Sequence, residues 1–112
     1  MFSVPDNATI IFYSKPINQQ KGIDALTSVI QNEMGMDPCI GYYFLFCNAK
    51  RDRFKVLYRD GDNLGIWFKR FKGTLKFAYT NQIVIFDKND FLTFLEKTSS
   101  RPFYTLKNML NF

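Results

Sequence analysis

The feature that most constrains the fold is a change of apolar period at Gly41. Before it, Ile23, Leu26, Ile30 and Met34 recur at three- and four-residue spacing, the stripe of an amphipathic helix. Asn18 is placed to cap the start of that helix. Gly35 can take the left-handed C-terminal cap and Pro38 blocks continuation, so the helix is expected to end near Met34. From Gly41 onward the period is two. Gly41–Cys47 (GYYFLFC), Arg53–Arg59 (RFKVLYR), Asn63–Phe71 and Leu75–Tyr79 read as successive strands joined by short polar loops, an antiparallel meander.

The flanks add three elements. Ala8–Tyr13 (ATIIFY) is a β-branched and aromatic run closed by Ser14-Lys15-Pro16, and reads as a strand. Ile83–Phe86 (IVIF) is either an edge strand or the entry to a helix. Asp87 can cap a helix from Lys88 to about Lys97, with Phe91, Leu92 and Leu95 as its buried stripe and Asp90 in its first turn. Thr98-Ser99-Ser100 breaks that helix. The segment from Pro102, with Phe103, Leu106, Met109 and Leu110, is a short terminal helix docked on the domain or on a second copy. The expected fold class is α+β: an antiparallel β-meander of four to six strands, with one helix before it and one or two after it.

At 112 residues the chain has room for one domain, 1–112, with 98–112 a candidate C-terminal extension. Thirteen Phe, six Tyr and one Trp point to an aromatic core. Strand register can be tested on the pattern. A three-residue Asp60-Gly61-Asp62 loop sets Phe54 opposite Phe68, Val56 opposite Ile66 and Tyr58 opposite Leu64, so the apolar residues share one face. A two-residue Asp60-Gly61 loop sets Lys55 opposite Ile66 and is rejected. A Gly73-Thr74 turn then pairs Phe68 with Tyr79. On this register the other face carries Arg53, Lys55, Trp67, Lys69, Phe71 and Lys76, cations interleaved with rings.

The charge is as uneven as the pattern. Lys50 to Lys76 holds nine basic residues against three acids, a net of +6 on a chain whose total is +5. A concentrated basic run faces a polyanion or forms a solvated surface; with aromatic rings between the cations it suits nucleic acid, where cations neutralise phosphates and rings stack on bases.

Absences narrow the chemistry. There is no histidine, which removes Ser-His-Asp and Cys-His nucleophile systems. Cys39 and Cys47 have no CxxC spacing to build a zinc site and read as reduced core or strand-end residues. Asp60 and Asp62 flank Gly61, a turn sequence before it is a metal pair, and the six glycines form no phosphate loop. No catalytic residue, metal or cofactor is expected. The start Met1-Phe2-Ser3-Val4 lacks the regions of a secretory signal and no apolar run approaches the ~18 residues of a spanning helix, so a cytoplasmic location is expected.

Six short motifs occur in an ordered series: Lys21-Gly22-Ile23-Asp24-Ala25-Leu26; Asp37-Pro38 with Gly41; Phe44-Leu45-Phe46-Cys47-Asn48; Asp52-Arg53-Phe54-Lys55-Val56-Leu57-Tyr58; Asp60-Gly61-Asp62; and Lys69-Arg70-Phe71. In these the chain resembles a bacterial insertion-sequence accessory family: the second-open-reading-frame protein, often labelled TnpB, of an element that encodes a separate DDE transposase. It is unrelated to the RNA-guided nuclease of the same label. The resemblance runs from Thr9 to Phe77 and continues weakly through the helix after Asp87. One departure stands at Asn18-Gln19-Gln20, where the family usually has Asp-Met-Arg before the Lys-Gly.

The resemblance implies a non-catalytic accessory role in transposition. Combined with the charge, it sets out DNA at the transposon ends as the expected partner, contacted through Lys21, Arg53, Lys55, Trp67, Lys69, Arg70 and Lys76. The alternative is a protein adaptor that docks on the transposase through the first helix or the aromatic tail without contacting DNA.

Overall fold

The computed structural model describes residues 4–18, 20–70, 72–77 and 83–98, the last four by backbone alone. In chain order the elements are β1 (Thr9–Pro16), α1 (Ile23–Ser28) running into a π-helical turn (Val29–Glu33), β2 (Tyr43–Cys47), β3 (Arg53–Asp60), β4 (Asn63–Arg70), β5 (Ile83–Asp87) and α2 (Lys88–Thr98). The five strands form one sheet in the order β4-β3-β2-β1-β5.

The class is α+β as expected, but the sheet is mixed rather than an antiparallel meander. β1 runs parallel to β2, with Ile10 beside Tyr43 and Phe12 beside Leu45. The β1–β5, β2–β3 and β3–β4 pairings are antiparallel. The reason lies in side-chain composition. Ile10 to Tyr13 and Phe44 to Cys47 are apolar at every position, so these strands must be covered on both faces. The parallel pairing needs a crossover long enough to return the chain, and α1 with its loops supplies it.

Two apolar layers result. On one face Ile10, Phe12, Leu45, Cys47, Phe54 and Val56 pack with Phe91 of α2 and with Leu75, while Trp67, Phe77 and Phe94 are half-buried against them. On the other, Ile11, Tyr13, Phe44, Phe46 and Leu57 pack with Leu26, Val29, Ile30 and Met34, with Leu64 and Ile66 half-buried at the margin.

The first helix differs from expectation at both ends of its pattern. Gly22, not Asn18, is its N-cap residue; the Asn18 Oδ1 accepts from the Gln20 amide two residues on. The Met34 amide donates to the Val29 carbonyl five residues back, at 3.1 Å. Val29 joins Leu26 and Ile30 in the buried stripe, while Ile23, at the start of the helix, is 39% exposed. Gly35 takes the left-handed cap at φ +64°. At the second helix the expected cap is present: the Asp87 carboxylate accepts from the Asp90 amide at 2.7 Å.

Leu75 to Phe77 form no strand. Gly73, at φ +111°, turns the chain away from the end of β4. The Leu75 amide then donates to the Arg51 carbonyl and the Arg51 guanidinium to the Phe77 carbonyl. The segment therefore covers the α2 face of the sheet, with Phe77 edge-on to Phe12, and β4 remains an edge strand. Gln19, Phe71, Ala78-Tyr79 and the tail from Pro102 lie outside the described residues, as does the side chain of Leu95.

The β3–β4 register is also corrected. Asp60 pairs with Asn63, so the loop is Gly61-Asp62, and Val56 faces Trp67, Lys55 faces Phe68 and Tyr58 faces Gly65. Gly61 is at φ +60° while Asp62 is not left-handed, the pattern of a type II′ hairpin turn. Such a turn calls for glycine at its first central position, and the loop therefore starts at Gly61. Opposite Gly65 the Tyr58 ring folds across the strand, stacked on Tyr43 at 6.2 Å. A Cβ on Gly65 would meet the Tyr58 ring and hydroxyl at 3.0 Å.

Two predictions follow from this packing. Gly65→Ala is expected to destabilise the fold by about 1–3 kcal/mol through overpacking, and Tyr58→Ala is expected to abolish that penalty. A double-mutant cycle by urea unfolding measures the coupling, and additive effects would contradict the contact. The second concerns Tyr13, whose hydroxyl donates to the Glu33 carboxylate. Burial first, and then the Glu33 bond and charge, push its pKa from 10.0 up to about 12. The unfolded chain releases this proton at its ordinary pKa and the folded chain resists. The stabilisation is therefore complete below pH 10 and is lost as the pH rises towards about 12. Unfolding free energies measured across that window should fall less steeply in Tyr13→Phe.

Candidate nucleic-acid interface

Strand directions decide where the charges gather. The last residues of β1, β2 and β4 and the first residues of β3 and β5 lie at one end of the sheet. That end holds Lys15, Lys50 and Arg51 of the β2–β3 turn, Arg53 and Lys55, then Lys69 and Arg70, with Lys72 just beyond. Asp52 is the acid among them. The opposite end holds Asp60 and Asp62 at the β3–β4 turn, Asp87 and Asp90 at the start of α2, and Asp6, which pairs with Lys88 at 3.2 Å. Apart from Arg59, which bonds the Gly61 carbonyl at the far turn, the basic run of the sequence has become one end of the sheet, not one face of it.

Asn48 builds the centre of that end. Its side chain is buried, its Oδ1 accepts from the Asp52 and Arg53 amides, and its Nδ2 donates to the Asp52 carboxylate. The tight turn this produces places Arg51 at φ +58°, the one non-glycine with positive φ among the described residues. Arg51 is then held by the Phe77 carbonyl at 2.7 Å, so its guanidinium clamps the chain after β4. Open clefts lie on both sides of the turn. One, of about 400 Å³, is lined by Pro16, Ile17, Asn18, Asn48, Lys50 and Arg53; the other, of about 520 Å³, by Asp52, Arg70, Lys72, Gly73 and Thr74.

The expected site residues divide between the two faces of this end. Arg53, Lys55 and Arg70 are on the α1 face, where Arg53 and Arg70 are direct cross-strand partners. Lys21 stands just before α1, and its carbonyl accepts from the Lys55 ammonium at 2.9 Å. Lys55 is thus a half-buried tie between β3 and the helix, and burial lowers its pKa from 10.5. Trp67 and Lys69 point to the α2 face, where Trp67 packs on the core. Lys76 is exposed in the segment that carries Leu75 and Phe77. The expectation of one surface holding Arg53, Lys55, Trp67 and Lys69 together is corrected by the one-residue change of register, which sends alternate residues of β4 to the other side.

Like charges opposed across strands repel unless counter-charged. Neither Arg53 nor Arg70 has an ion-pair partner among the described residues, and the Arg53 Nε is buried without a hydrogen-bond partner. The pair is therefore a place where an external anion gains twice. One residue missed by sequence reasoning shares this face: Phe68, 49% exposed, directly opposite Lys55. The misread register hid it. Asp60 and Asp62 straddle Gly61 at the far end, and no group of three His, Cys, Asp or Glu side chains that could hold a metal occurs among the described residues. No helix among them is long and apolar enough to cross a membrane.

Comparison with known proteins agrees with the motifs. No curated protein and no solved structure matches the chain. A family model described as IS66 Orf2 like protein matches residues 8–100, from the residue before β1 through the second helix. With the match taking in the whole sheet and the basic end just described, the chain belongs to the IS66 Orf2-like family of insertion-sequence accessory proteins.

Proposed function

We propose that the protein is a non-catalytic accessory factor of DNA transposition that binds DNA through the basic end of its sheet. The observation that carries this reading is the opposed Arg53–Arg70 pair without carboxylate partners, set among Lys50, Lys69 and Lys72. Phosphate backbones recruit such a cluster because each neutralised phosphate releases condensed counterions. The clefts beside the Asn48–Arg53 turn are open and shallow, suited to a charged backbone rather than to an enclosed small molecule.

The reading is tested by fluorescence anisotropy on a labelled transposon-end duplex across a salt series. Log affinity is expected to fall linearly with log salt, and Arg53→Gln with Arg70→Gln together should flatten that slope by about two. Lys76→Gln, on the far side of the Arg51 clamp, should change it less. Thermal melts confirm folding of each variant. An affinity indifferent to salt, or unchanged in the Arg53/Arg70 double variant, would rule out this surface as the contact.

A further inference from the structure

The basic end carries one feature that phosphate binding does not use. On the α1 face β4 presents Leu64, Ile66, Phe68 and Arg70 in turn. Leu64 and Ile66 are half-buried against the layer under α1; Phe68, the next on that face, is beyond it and 49% exposed. β4 is an edge strand among the described residues, with none of them forming a further strand beside it. The ring's neighbours in the sheet are cations: Lys55 directly opposite, Arg53 on the diagonal and Arg70 two residues along. Single exposed apolar side chains are ordinary on protein surfaces. A ring flanked by guanidinium groups that have no ion-pair partner among the described residues is a different arrangement, because the surrounding charge selects an anionic ligand that also offers flat apolar faces.

Resting on the DNA-binding reading, we infer that Phe68 is a stacking platform for an unpaired base, and that the preferred ligand of the basic end is single-stranded DNA. In a duplex the bases are stacked on one another and their faces are closed. An unpaired strand can lay a base on Phe68 while its phosphates lie along Arg53 and Arg70, the combination by which single-strand binders work: a charged track beside aromatic platforms. Arg70, two residues along the strand, and Arg53, on the diagonal, stand ~7–8 Å from Phe68, so the ring and the pair lie within about one nucleotide of each other. Charge complementarity commits the site to this occupant.

The test measures the full chain against an oligothymidine of about 12 nucleotides and against a blunt duplex of similar length, at one salt concentration. The wild-type protein is expected to bind the oligothymidine more tightly than the duplex. Phe68→Leu, which keeps the bulk and loses the ring, should weaken oligothymidine binding about ten-fold and leave duplex affinity unchanged. Phe68→Trp should restore the single-strand preference. Equal weakening on both ligands, or none on the oligothymidine, overturns the inference while leaving phosphate binding by Arg53 and Arg70 intact. Absence of wild-type binding to both DNAs overturns the DNA reading itself. Sedimentation of Phe68→Leu covers the remaining occupant: a dimer of the wild type that this variant dissolves assigns the ring to a second copy and refutes the stacking role.

Discussion

β1 is hydrogen-bonded on both edges and covered on both faces, and the rest of the domain is arranged around that burial. Its four central residues, Ile10 to Tyr13, are all buried, with Ile10 and Phe12 turned to α2 and Ile11 and Tyr13 to α1. A strand of this composition has no side to offer to water, so it must lie inside a sheet and between layers. β2 on one edge and β5 on the other satisfy its backbone. α1, carried in the β1–β2 connection, seals one face. α2, delivered by β5 from the opposite side, seals the other together with Leu75 and Phe77.

That three-layer arrangement dictates where charge can reside. β2 has no charged residue and β1 has only Lys15, near its last position. With both faces closed over the middle of the sheet, ionisable side chains are left with strand ends and the β4 edge. The basic residues of the sequence fall within and around the β2–β3 turn, the start of β3 and the end of β4, which antiparallel pairing brings together. A run of positive charge on paper thereby becomes a single rim in space. Lys55, a cation drawn inward, is held there by the Lys21 carbonyl.

Most of the elements were legible in the sequence, and what was not has physical causes. β1 to β4 coincide with runs read as extended, β5 falls on a run left open between strand and helix entry, α2 with its Asp87 cap starts where its carboxylate predicts, and Gly35 ends the first helix as expected. Parallel pairing was missed because local pattern describes which faces a strand buries, not which neighbour it takes; the uninterrupted runs TIIFY and YFLFC carried the signal of a doubly covered pair. The β3–β4 register was misread for a related reason. Alternation discriminates between registers only when one face is wet, and here Val56 and Trp67 face one layer while Leu57 and Ile66 face the other. The information that decides it is the Gly61 turn and the Gly65–Tyr58 contact, both matters of backbone conformation rather than hydropathy. The expected surface inherited the error: Trp67 was read beside Arg53 and Lys55, where the structure places Phe68.

The sheet also separates its charges along its length. β3 and β4 are eight residues each, ~25 Å at strand rise, with Arg53 and Arg70 at one end and Asp60 and Asp62 at the other. At physiological salt the Debye length is ~8 Å, so the two ends are screened from each other and each presents its own sign to an approaching partner. Near a polyanion the basic end is attracted while the acidic turn is repelled, which favours an approach with the strand axis pointing at the phosphates. Approach along that axis presents the Asn48–Arg53 turn first, with the β4 edge and Phe68 behind it. A basic patch on a flat face would impose no such orientation; a basic end does.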